Sequence, residues 1–204
     1  MSELIKKRVA ITIHAFAVAH AATAFICAQL LVADKVILTG LTVAMILTLA
    51  NICDVDMDRT MATTIATLLV AEFLGVYGAM LLIQWIPFVG NAANATATFT
   101  VTEIIGWALF KLFGAIGNNA DKIIWSKLTE TEKKRMIKEA LKGSATMAST
   151  ENKRMKELLK KLSSKDRKRY NDIKNQLKQL DKDDTEEREL LIAELTDLLN
   201  KYDY

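Results

Sequence analysis

The chain has 204 residues, 51% of them hydrophobic and 25% charged, with a net charge of +3. That length allows one large or two small domains. The weak charge surplus excludes the strong basic face of a nucleic-acid protein, so no nucleic-acid partner is expected. The charge is also unevenly placed. Residues 9–117 hold nine charged residues, whereas residues 121–204 hold 21 basic and 17 acidic ones. This partition predicts an all-α protein with a helical membrane domain over 1–118 and a charged cytosolic helical domain over 119–204.

Lys6, Lys7 and Arg8 open the first apolar segment, 9–33. It is longer than the roughly 7–15 residues of a signal-peptide core, which predicts a retained membrane segment. Asp34 and Lys35 mark the joint to the second segment, 36–53, which is marginal for a bilayer crossing of about 17–25 residues. Asp54, Asp56, Asp58 and Arg59 form the next joint, and Asp58 or Thr60 can cap the third helix. The third segment, 60–86, ends at Pro87, and Gly90 with Asn91 starts the turn into the fourth, 88–117. Frequent Ala, Leu and Met favour helices over strands. The basic residues flanking this region put both chain ends on the cytoplasmic side, which requires an even number of crossings. Four spans satisfy this, as do two spans with two helices on the membrane surface or inside an oligomer.

The tail repeats its apolar residues at spacings of three and four, which predicts amphipathic helices over 119–142, 150–163 and 165–181 and a last one opened by Asp183, Asp184 and Thr185. A solvated helical bundle or coiled coil accounts for them. A docking surface for a protein partner across 143–204 is the alternative.

Two carboxylates, Glu72 and Glu103, lie near the middle of the third and fourth segments. Such a group costs roughly 2.5–3.5 kcal/mol at mid-bilayer, so it faces a bundle interior or water. It either lines a pore or proton relay or holds helices together. His14 and His20 join them as pore or relay candidates. Six residues apart on a helix, the histidines diverge by roughly 120°, so they form no i, i+4 metal pair, though a polar contact with an acid on another helix suits either. Gly75 and Gly78, with small neighbours on one face of the third helix, and Asn91, Thr98, Thr102 and Gly106 on the fourth are helix-packing candidates, within the chain or between copies. Cys27 and Cys53 read as buried free thiols. No phosphate-binding, dinucleotide or nucleophile-elbow motif occurs. No catalytic residue, metal or cofactor is therefore expected, and the chain reads as a non-enzyme.

Three ordered motifs carry a resemblance. Ala33-Asp34 is followed by Leu41-Thr42-Val43-Ala44-Met45-Ile46. Then come Ile86-Pro87-Phe88-Val89-Gly90-Asn91 and Thr102-Glu103-Ile104-Ile105-Gly106-Trp107-Ala108, with Lys111 and Phe113 after them. Over roughly 16–115 the chain resembles the YcjF-like membrane domain of unknown function, which accompanies Era-type GTPases in bacteria. The resemblance implies a bacterial inner-membrane helical domain without catalytic residues and favours a fold-defining role for Glu103. The chain departs from that company in carrying no GTPase of its own.

Two functions follow. One is an oligomeric membrane protein, a pore or channel lined by the polar groups of its apolar segments. The other is a membrane anchor and regulator whose tail binds a partner such as a GTPase or a stress or defence effector. A soluble oligomer that buries its apolar hairpins between subunits is a third arrangement.

Overall fold

A computed structural model describes residues 2–27, 33–84, 91–117, 125–181 and 184–204, with backbone alone for 25–27, 33–38, 78–84, 91–94 and 117. Among these residues the protein is all-helical, with eight α-helices and no strand. Four long helices come first: α1 (Glu3–Cys27), α2 (Ala33–Ile52), α3 (Arg59–Gln84) and α4 (Asn91–Gly117). A 3-10 turn at Trp125–Lys127 precedes four shorter ones: α5 (Glu130–Leu141), α6 (Ser144–Lys160), α7 (Ser164–Leu177) and α8 (Thr185–Asn200).

Helix α1 is the axis of the molecule. Every residue from Val9 to His20 is buried, so the helix has no solvent face over that stretch. Its neighbours are α4 and α2 from the apolar half and α6, α7 and α8 from the charged tail. A helix that is apolar all round needs such surroundings, in protein or in lipid. Here protein provides them. The closest approach is at Gly106 of α4, where a β-carbon would sit 2.7 Å from both γ-carbons of Ile13. Glycine there lets the two backbones approach, and Trp107, Leu109 and Phe113 then bury completely or nearly so around the contact.

The charged tail does not stand apart from the apolar helices. Ile137 and Leu141 of α5, Met155 and Leu158 of α6, Ile173 and Leu177 of α7 and Leu195 and Leu199 of α8 belong to the same hydrophobic core as α1 and α4. Each tail helix follows the spacing of three and four that makes one apolar stripe. The expected boundary at 118 falls in residues outside the described set.

Caps fix most helix boundaries. Asp58 accepts from the Met61 amide at 2.8 Å and so starts α3. Asp54 leaves α2 with φ 56°, a left-handed turn that a short polar side chain tolerates, and the Val55 amide closes it on the Ala50 carbonyl at 2.9 Å. The expected helix over 119–142 is shorter, because Thr129 and Glu132 form a capping box that starts α5 at Glu130. Gly143, with φ 73°, turns the chain directly into α6, which therefore begins six residues before the expected 150. Ser163 caps α7 and Asp184 precedes α8, as the sequence punctuation suggests.

Helix α3 is the exception to this coverage. Val70, Leu74 and Val76 are about half exposed. Residues 59–77 and 95–116 are, among the described residues, the two helical stretches long and apolar enough to cross a membrane. Within those stretches a third of the first and 56% of the second is buried inside the protein.

Candidate functional site

His14 and Glu103 meet in the interior. Isoleucine 13 and Gly106 bring α1 and α4 together, and this sets the His14 Nδ1 3.6 Å from a Glu103 oxygen. Both side chains are almost fully buried. On the other side of the ring, His14 Nε2 lies 3.1 Å from the Tyr170 hydroxyl of α7. At 3.6 Å from Glu103, Nδ1 makes no hydrogen bond, so the ring's hydrogen bond is the one between Nε2 and the Tyr170 hydroxyl. Burial, and then the Glu103 charge, push the Tyr170 phenol above its usual range. It therefore stays a neutral donor. Phe99 meets the His14 ring edge-on at 5.5 Å, which closes the site. Three helices distant in sequence thus converge on one buried polar chain.

Glu72 is placed differently. It is partly exposed on α3 and pairs with Lys138 of α5 at 3.4 Å. One turn further along α3, the Tyr77 hydroxyl donates to the Leu141 carbonyl at 3.0 Å. On α4, Lys111 donates to the Glu139 carbonyl at 3.3 Å and also reaches the Lys142 carbonyl. These bonds satisfy the last carbonyls of α5, which have no partner within their own helix. Helix α5 is thereby tied to both α3 and α4.

A fourth tie lies at the start of α1. Lys6 pairs with Glu151 of α6 at 2.8 Å, and the Tyr204 hydroxyl donates to the same carboxylate at 2.8 Å. Burial pushes the Glu151 carboxyl up, but the hydrogen bonds from Lys6 and Tyr204 and the charges of Lys6 and Arg154 outweigh it and hold the group below its usual range. Tyr204, partly buried and beside that charge, is raised.

The remaining candidates sort as follows. His20 is buried, and its Nδ1 donates to the Phe16 carbonyl at 2.8 Å while Nε2 lies 3.3 Å from the Thr42 hydroxyl. It ties α1 to α2 and does not join the His14 site. Gly106 packs at the α1–α4 contact, and Thr102 is buried and donates to the Thr98 carbonyl at 2.9 Å. Gly75 has open space where a β-carbon would go, so no neighbour packs closely at that position. Gly78 and Asn91 lie on α3 and α4, outside the described side chains. Cys53 is free and half-buried, and Cys27 lies outside the described side chains. Among the described residues no cluster of three metal-binding side chains occurs.

Sequence reading did not single out Tyr170, Lys138, Glu151, Lys6, Tyr77 or Tyr204 for these roles. Tyr170 carried a signal, since it is a phenol on an otherwise aliphatic stripe. The others are ordinary members of charged or aromatic stretches. No family model, no curated protein and no solved structure matches the chain.

Proposed function

We propose that this chain is a non-enzymatic, membrane-associated regulator at a bacterial inner membrane, with both ends on the cytoplasmic side. The uncovered face of α3 meets lipid, and the tail helices carry the partner surface, for a GTPase or another effector. The observation that carries this reading is the exposed pair Val70 and Leu74, one turn apart on a helix apolar enough to cross or lie in a bilayer. Helix α5, tied to α3 by Glu72 and Lys138, holds Lys134, Arg135 and Lys138 exposed, and Lys142 is exposed just after it. Apolar residues beside exposed cations suit an anionic membrane surface, although α5 also carries Glu130, Glu132 and Glu139. The resemblance to the YcjF-like domain supports the same location and the same kind of partner. Self-association through the open side of Gly75 uses the same small face.

The pore reading has less support. Glu103 is buried beside His14 between α1 and α4, and Glu72 pairs with Lys138, so each acid lies against other helices of its own chain. A pore lined by Glu72 must first release Lys138.

Flotation with vesicles tests the anchor reading. The full chain should float with phosphatidylglycerol vesicles, and Val70→Glu combined with Leu74→Glu should leave it at the bottom with its helical content intact. Failure of the wild type to float, or unchanged flotation of the variant, removes this reading. A bilayer conductance whose pH dependence shifts with Glu72→Gln replaces it with the pore.

A further inference from the structure

The geometry points to a binding site for a small organic amine in the cavity between α3, α4 and α6. The cavity measures about 300 Å³, the lower end of the roughly 300–1,000 Å³ typical of small-molecule sites. It is lined by Glu103 together with Phe73, Tyr77, Ile104 and Ala148, all of them buried or partly buried. Thr100 and Ser149 are exposed and mark its mouth. The site is therefore an apolar pocket with one deep carboxylate.

Glu103 is only 4% exposed, and no hydrogen-bond donor among the described residues reaches it. His14 Nδ1, at 3.6 Å, is beyond hydrogen-bond length. A buried carboxylate without a donor is costly, and a cation supplied from outside relieves that cost. An ammonium is suited to it, since it brings both charge and donors. The Phe73 and Tyr77 rings, with centroids 4.9 Å apart, give the same pocket an aromatic wall. Such a wall attracts organic cations and covers their apolar bodies. Anionic ligands are excluded by the same carboxylate. At about 30 Å³ for each water-sized group, the space suits a molecule of on the order of ten non-hydrogen atoms.

The test compares 2-phenylethylamine with 2-phenylethanol, which has the same shape and no charge, by calorimetric titration into the full chain. The amine should bind saturably with a dissociation constant below about 1 mM, and the alcohol at least about tenfold more weakly. Glu103→Gln should remove that preference. Ala148→Leu puts a larger side chain on the pocket lining while Glu103 is kept, and should abolish binding of both compounds. This second variant keeps the proposal testable if Glu103→Gln does not fold. Equal binding of amine and alcohol, no saturable amine binding, or full affinity in Ala148→Leu overturns the proposal.

Discussion

Gly106 offers a stringent test of the packing described above. Gly106→Ala puts a methyl 2.7 Å from Ile13 Cγ1 and Cγ2 and 3.0 Å from Cδ1, where ordinary contact begins near 3.4 Å. Ile13 has no exposure, so it cannot swing out of the way. Overpacking of this kind costs about 1–3 kcal/mol, while replacing a helical glycine returns about 1 kcal/mol, which leaves a net loss of about 0–2 kcal/mol. Ile13→Ala alone empties a fully buried site and should cost about 2–5 kcal/mol. In the double variant the new methyl occupies part of that void and meets no γ-carbon. The pair should therefore cost less than the two single changes together, by about 1–3 kcal/mol. Chemical denaturation followed by far-ultraviolet circular dichroism measures all four corners of the cycle. Additivity within about 0.5 kcal/mol refutes the close contact. So does stabilisation by Gly106→Ala, which an unobstructed helix position would give.

Glu151 gives a pH test: its folded carboxyl is held below its usual range, so its contribution is present above about pH 5 and is lost as pH falls through the folded value. Glu151→Gln should flatten the acid limb of the stability profile, and parallel profiles for the two proteins contradict the Lys6–Glu151–Tyr204 tie. Thr129→Ala should cost about 1 kcal/mol and speed amide exchange in the first turn of α5, because the capping box is lost. Unchanged exchange at Glu132 refutes it. Lys138→Ala should cost under about 1 kcal/mol in aqueous solution, since Lys138 is more than half exposed and such pairs are weak. A loss several times larger places Glu72 in a far drier site than its partial exposure allows.

Much of the helical organisation was legible, because periodicity and caps are local. Ser163 caps the start of α7, and Asp184 marks the start of α8, each within a few residues of sequence. The Thr129–Glu132 box was equally local, and it lay inside a stretch read as one helix from its apolar spacing alone. Other features could not be read this way. Val9–His20 and the stretch around Val70 and Leu74 are both apolar, yet one is buried in protein on every side and the other leaves half-exposed side chains. Hydrophobicity measures the cost of contact with water and does not say whether lipid or protein replaces it. The roles of the two acids have the same origin. His14 and Tyr170 are separated by 156 positions, and only the close α1–α4 approach at Gly106 and the docking of α7 bring them to one ring. Glu103 is therefore placed beside His14 by tertiary packing, whereas Glu72, on the α3 rim, finds Lys138 where water still reaches both. Mid-segment position marked each carboxylate as costly. It did not fix the neighbour that offsets the cost, and that neighbour decides whether the acid can serve a pore, a ligand or the fold.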